Sequence, residues 1–256
     1  MHSVKTITVY NEKGGCGKTT ATIFLSSWLA SMGMRVLVLD FDKPTYHVAS
    51  IREKESATLR MEKSPLVSYL RLEGLMTEPG SFRPPFQIRP MDADDCLRGD
   101  PERLFATLDA IPRDEYDYMI CDFPGRFSDD EAVSFMCGSG YIDAMLIPVE
   151  CDSQTVKSAL VIADAARRAR IRSAIFWNRT TQDEVQYRRI DRMNAVFLAK
   201  GVSILPHGIK QIKKFSRDSN DRLFVRSTMC FPERYVRIWC PTLLDFLASA
   251  REFIDK

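Results

Sequence analysis

The chain has 256 residues, a net charge of only +2 and 45% hydrophobic residues, enough for the core of one large α/β domain. No apolar run is long enough to span a bilayer, and Met1-His2-Ser3 leads straight into a charged, strand-like segment; a cytoplasmic protein without membrane span or signal peptide is expected. Seven cysteines without a C-x-x-C pair argue against zinc and a disulfide framework, and predict mostly reduced, buried thiols.

In chain order, Val4 to Tyr10 reads as a buried strand, and the turn Lys13-Gly14-Gly15-Cys16-Gly17-Lys18-Thr19-Thr20 runs into a helical pattern from Lys18 to Ala30. A triphosphate needs many donors and positive charge at close quarters. A glycine-rich strand-to-helix turn supplies backbone N–H groups that no side chain blocks, which is the role of Gly14, Gly15 and Gly17. Lys18 would reach the β and γ phosphates and the Thr19 hydroxyl would ligate Mg²⁺, while Thr20 and the first helical turn would lend amides to the α and β phosphates of ATP. The general G-x-x-x-x-G-K-[ST] pattern fails at one position, where Glu12 replaces its first glycine, and Lys13 stands as an added lysine. Cys16 admits two readings, a thiol activated by the helix N-terminus or a neutral filler of the loop.

Val36 to Leu39 is a second strand, and Asp40 and Asp42 after it are placed at the carboxyl end of a strand beside the first, where ligands of open α/β sheets bind. Residues 43–95 are charged around Ile51 to Lys63 and then proline-rich at Pro79, Pro84, Pro85 and Pro90. Leu66, Val67, Tyr69, Leu70 and Leu72 give them something to bury, so a short helix or two, a loop and an edge strand over Phe86 to Pro90 are expected in preference to a disordered insertion. A helix follows over Pro101 to Ile111, then a strand over Tyr118 to Cys121 that ends in Asp122, a carboxylate able to hold the hydration shell of Mg²⁺. Strands over Ala144 to Val149 and Ser173 to Trp177 alternate with helices over Ser153 to Ala169 and Asp183 to Ala199. The alternation predicts a doubly wound, mostly parallel sheet with helices on both faces, in a single domain over 1–256. The last element, from Pro241, carries Leu243, Leu244, Leu247, Ala250 and Ile254 at helical spacing through residue 254, with Asp245, Glu252 and Asp255 on the polar side. That acidic face suits packing on the body or on a partner better than a membrane surface.

Charge is segregated along the chain. Residues 1–156 carry 16 basic and 24 acidic side chains, whereas 157–237 carry 18 basic and 7 acidic ones. The second half is therefore where a polyanion would bind, and an equal account is a solvated surface paired with acids of the first half.

Four stretches, K-G-G-C-G-K-T-T, V-L-V-L-D-F-D, Y-D-Y-M-I-C-D-F-P-G, and A-M-L-I-P-V-E with I-F-W-N-R after it, resemble the ParA/MinD family of deviant Walker A ATPases across most of the chain. The resemblance implies a P-loop α/β fold and slow hydrolysis of ATP to ADP and phosphate, dependent on dimerisation. It makes Lys13 the signature lysine that reaches across a homodimer to phosphates held by the other subunit. It gives Asp42 the task of orienting the attacking water, Asp40 that of supporting it and the metal shell, and Asp122 the Walker B position. Asn178 matches the position whose amide reads the adenine edge, although a polar cap closing a strand explains it nearly as well. Pro148 and Glu150 border the base or the dimer interface.

Within the family the chain resembles ParA-like partitioning proteins, including those encoded beside conjugation genes on mobile elements of Bacteroidetes. It departs after Asp42, where Lys43-Pro44-Thr45 stands in place of the usual proline and glutamine, and in the proline-rich segment. The ParA resemblance implies non-specific DNA binding at the nucleoid through Lys210, Lys213, Lys214, Arg217, Arg222 and Arg226, with Arg234 and Arg237 following and the pairs Arg167-Arg168 and Arg188-Arg189 as further candidates. A ParB-like or other adaptor is implied as a partner. Three alternatives remain: a MinD-like positioning ATPase, which needs a basic amphipathic tail; an iron–sulfur reductase bridged through Cys96 and Cys137; and a metabolic ATP-dependent enzyme, which does not need Lys13.

Overall fold

The computed structural model describes residues 4–61, 64–78, 81–92, 101–125, 140–181, 183–211 and 226–256. Its strands are β1 (Lys5–Val9), β2 (Val36–Asp40), β3 (Gln87–Pro90), β4 (Tyr118–Asp122), β5 (Ala144–Val149), β6 (Arg172–Thr180), β7 (Ser203–Ile204) and β8 (Ile209–Lys210). The helices are α1 (Lys18–Ser31), α2 (His47–Thr58), α3 (Pro65–Leu72), α4 (Pro101–Asp109), α5 (Ser153–Arg168), α6 (Glu184–Ala199), α7 (Glu233–Trp239) and α8 (Pro241–Asp255). The strands form one sheet in the order β3-β2-β4-β1-β5-β6-β7, with β8 paired to β6, and every ladder among the described residues is parallel.

Successive side chains of a strand leave opposite faces of a sheet, and here both faces are dry. Leu37 and Leu39, Met119 and Cys121, Met145 and Ile147, and Ile175 and Trp177 pack with Ala159, Ile162 and Ala166 of α5 and Phe197 of α6. Val36 and Val38, Tyr118 and Ile120, Ala144 and Leu146, and Ala174 and Phe176 pack instead with α1, α2 and α8. This alternation is the physical content of a doubly wound fold, and it agrees with the expected α/β class.

α1 is buried on most of its circumference, including Phe24, Leu25, Leu29 and the hydroxyls of Thr22, Ser26 and Ser27. It stops where Gly33 takes φ 83°, with Gly33 N–H on the Ala30 carbonyl at 3.0 Å and Met34 N–H on the Leu29 carbonyl at 3.1 Å, a Schellman closure. α8 lays Leu243, Phe246, Leu247, Ala250 and Ile254 into the core, and Arg172 donates to its terminal carbonyls at Phe253 (2.7 Å) and Ile254 (2.8 Å). Its apolar face is therefore consumed by the body.

One expected adjacency is corrected. β2 does not lie beside β1, because β4 is inserted between them, pairing with both. Asp40 consequently sits opposite Asp122 in register, and Asp122 in turn opposite Val9. Both aspartates end at the same carboxyl edge as the β1 turn, so the insertion brings Asp122, rather than Asp40, next to that turn.

Candidate functional site

The turn after β1 reaches α1 through Gly17, its N-cap, at φ 99°. The first intrahelical bond runs from Ala21 N–H to the Gly17 carbonyl at 2.9 Å, so the amides before Ala21 have no intrahelical partner and lie at the positive end of the helix dipole. Gly17 is required for two reasons. A side chain rarely adopts its φ, and a Cβ there would lie 2.2 Å from Nδ2 of Asn178. That amide donates to the Cys16 carbonyl at 2.6 Å, from a side chain that is almost entirely buried. Asn178 thus braces the loop from the end of β6.

The loop is closed from the other side by Gly125, where a Cβ would come within 2.7 Å of Nζ of Lys18 and 2.8 Å of the Glu12 carbonyl. Cys16 inside the turn is fully buried, and burial pushes its thiol up despite the opposing pull of Lys18. The helix end does not activate it. Cys121, Cys230 and Cys240 are also buried free thiols, and Cys96 and Cys137 lie outside the described residues.

The two lysines part company. Lys18 is buried and folds back over its own loop, donating to the Lys13 carbonyl at 3.1 Å. Lys13 turns outward: its ammonium donates to Oδ2 of Asp152 at 3.0 Å and lies 4.0 Å from Oε2 of Glu150, with 27% of the side chain exposed. Asp152 is also the N-cap of α5, accepting from the amides of Gln154 (2.9 Å) and Thr155 (3.0 Å). Partial burial works to raise its carboxyl, but Thr155 and Lys13 outweigh that and hold it below the usual range. Glu150 is shared with Arg179 at 2.9 Å.

Thr19 donates to Oδ2 of Asp122 at 2.8 Å and Thr22 to Oδ1 at 3.3 Å. Asp122 is fully buried; burial pushes its carboxyl up to about 7, Thr19 and Lys18 opposing and Asp40 and Asp42 adding to the rise. A hydroxyl and a buried carboxylate are hard oxygen donors that suit Mg²⁺ bound chiefly through phosphate and water. No three His, Cys, Asp or Glu side chains converge as a metal cage among the described residues.

Asp40 differs from expectation. Its Oδ2 accepts the amides of Val48 (2.9 Å) and Ala49 (3.0 Å) and its Oδ1 that of Asp42 (3.2 Å), so both oxygens are occupied in capping α2. Burial raises this carboxyl even against those three amides. Asp40 positions α2 and the Asp42 turn. Asp42 is half-buried and its carboxylate meets Nδ1 of His47.

Of the basic residues expected to grip a polyanion, Lys213, Lys214, Arg217 and Arg222 lie outside the described residues. Lys210 is half-buried on β8. Arg226 is half-buried, and its guanidinium donates to Oγ1 of Thr20, in the first turn of α1, at 3.2 Å. Several of the remaining arginines pair within their own helices, Arg168 with Asp164 at 3.4 Å, Arg188 with Glu184 at 2.5 Å and Arg237 with Glu233. Arg234 reaches an acid of the first half, Glu73, at 3.3 Å.

Two supporting residues were missed by the sequence reading. Asn11 donates to the Pro148 carbonyl at 2.9 Å and accepts from Ser158 (2.9 Å) and from the Lys13 amide (3.1 Å), fixing the loop's entry. Asp152 holds Lys13. The available signals were a polar residue directly after an apolar strand, and an Asp-Ser helix start after β5.

Comparison with known proteins fits this geometry. A family model described as an AAA domain matches residues 4–82. The chromosome-partitioning ATPase Soj of Thermus thermophilus is 29% identical over 49% of this chain, which spans about half, 48%, of that relative's length. A chain of the MinC:MinD cell division protein complex of Aquifex aeolicus shares the fold with a TM-score of 0.67 at 17% identity, over 99% of this chain and 96% of that one. A Cyanothece McdA variant in complex with ATP shares it at 0.63 and 18%, over 100% and 98%. With its phosphate-loop turn on a parallel sheet and this set of relatives, the chain is similar to the ParA/MinD family of P-loop ATPases and shares its fold.

Proposed function

We propose that this chain is a ParA-like switch: it binds ATP with Mg²⁺ on the loop at residues 13–20, dimerises around it, hydrolyses it slowly to ADP and phosphate, and in the dimeric state grips DNA without reading sequence. The observation that carries the reading is the divergence of the two lysines. Lys18 lies over its own loop, where it can neutralise phosphate, while Lys13 points out of it to a half-exposed pair with Asp152. A cation presented at the mouth of one loop is placed to serve a second copy.

The residues divide the work accordingly. The amides of Gly14, Gly15, Cys16 and Gly17 and of the first turn of α1 cradle the phosphates. Thr19 and Asp122 would hold Mg²⁺ and its water, a cation that would supply neutralisation of phosphate charge. Asp42 orients the attacking water, and Asp40 acts on it indirectly by fixing the turn. Lys13 of the partner copy stabilises charge on the transferring phosphoryl oxygens, so hydrolysis waits on dimerisation. Asn178 keeps Gly17 and Cys16 in the phosphate-binding conformation, and its contact with the base edge belongs to this proposal as well.

The cargo is a plasmid, chromosome or mobile element, with a ParB-like or other adaptor as the partner that triggers turnover. The apolar face of α8 is turned into the body, so this helix is not itself built to lie on a lipid surface. The proposal is tested by measuring binding of unrelated DNA duplexes with ATP, with ADP and without nucleotide, at low and high salt. Binding restricted to ATP and weakening steeply with salt is expected. Equal binding in the three nucleotide states, or no salt dependence, overturns the DNA reading.

A further inference from the structure

Residues 226–230 form a strap between α1, which starts at the nucleotide loop, and α2. On one side the Arg226 guanidinium donates to Thr20 Oγ1 at 3.2 Å, and the Ser227 carbonyl accepts from Ser27 Oγ at 2.7 Å. Thr20 and Ser27 are seven residues apart, two turns on one face of α1. The Arg226 side chain therefore runs back along α1 toward its N-terminus. On the other side Thr228 N–H donates to Oε2 of Glu55 at 2.9 Å, while Arg52 donates to Thr228 Oγ1 and to its carbonyl, both at 2.8 Å. Ser27, Ser227, Thr228 and Glu55 are essentially inaccessible to solvent, so the strap's anchors are fixed.

We propose that Arg226 is a phosphate-binding residue of the nucleotide site, aimed at the side of the polyphosphate nearest Thr20; this rests on the ATP reading above. The strap carries a permanent cation to the first turn of α1, where the positive end of the helix dipole already favours an anion. An arginine held by its backbone on two buried anchors keeps little rotamer freedom to lose when it engages a phosphate oxygen. Because the same strap grips α2, whose N-terminus Asp40 caps beside Asp42, occupancy at Arg226 is also linked mechanically to the Asp42 turn.

The test compares ATP and ADP affinities, by titration calorimetry, of wild type, Arg226→Gln, Arg226→Lys and Arg226→Ala, with thermal melting of each. Gln keeps a donor for Thr20 and removes the charge. A charge-assisted bond lost from phosphate lowers affinity by about tenfold or more, for both nucleotides, in the Gln and Ala variants, with Lys recovering much of it. Unchanged affinity in Arg226→Gln, with melting lowered only in Arg226→Ala, assigns Arg226 a structural role and overturns the inference while leaving the ATP reading intact. Failure of the wild type to bind either nucleotide overturns both.

Discussion

The contact between Gly17 and Asn178 makes the phosphate loop testable without any nucleotide. In Gly17→Ala the new methyl would stand 2.2 Å from Nδ2 of Asn178, so the amide must leave the Cys16 carbonyl that it now holds at 2.6 Å. The left-handed backbone alone costs a side-chain-bearing residue about 1–2 kcal/mol. Breaking a buried hydrogen bond and leaving its groups unsatisfied costs about 1–3 kcal/mol more. Together these make about 2–5 kcal/mol, a large part of the roughly 5–15 kcal/mol that stabilises a typical domain. Asn178→Ala forfeits the hydrogen bond but not the backbone conformation. The double variant then loses the bond once rather than twice, so its destabilisation falls short of the sum of the single ones by about 1–3 kcal/mol. Urea unfolding of the four proteins measures the cycle. Strict additivity, or a Gly17→Ala variant as stable as wild type, would refute the brace.

Two further outcomes follow from the same geometry. Asp152→Asn keeps a good N-cap for α5 but removes the charge that holds Lys13, and a half-exposed pair of this kind is worth about 0.5–1 kcal/mol. If Lys13 must leave Asp152 to serve a partner, ATP-dependent dimer affinity rises about two- to fivefold in the variant; an unchanged or weaker dimer in equilibrium sedimentation contradicts the tether. Glu55 is the second case. Burial raises its carboxyl above 4.5, with Ser227, Thr228 and Arg52 resisting. The native state therefore holds the proton more tightly than the unfolded chain, and the stabilisation from this group is complete below 4.5 and lost as pH rises through the raised value. The melting temperature of wild type should fall relative to that of Glu55→Gln across this window, whereas parallel profiles would show that Glu55 does not titrate there.

The sheet was legible because parallel strands are dry on both faces, so Val36 to Leu39, Tyr118 to Cys121 and Ala144 to Val149 stand out as unbroken apolar runs. The phosphate turn was legible from its glycines. The order of the strands in space was not, since nothing local to β2 says that β4 will separate it from β1. β7 and β8, with two residues each, are too short to show any period. The capping role of Asp40 was hidden for a related reason. Whether a carboxylate after a strand faces a ligand or caps the next helix depends on where that helix begins, and α2 begins after Tyr46, which carries no capping side chain to mark the start. Arg226 was grouped with a basic surface by proximity in sequence, whereas its partner Thr20 is 206 residues away. The arginines of α5, α6 and α7 were paired mainly by their own helices, through spacings that a count by segment does not resolve.

The central claim is that Lys13 acts across a dimer formed around ATP. Sedimentation velocity of wild type and Lys13→Ala, each with Mg²⁺ and ATP, ADP or no nucleotide, addresses it most directly. The account predicts a dimer for wild type with ATP only, and monomers for Lys13→Ala in all three conditions even though Lys18 still binds the nucleotide. A Lys13→Ala variant that dimerises with ATP as wild type does, or a wild type whose mass ignores the nucleotide, would contradict it.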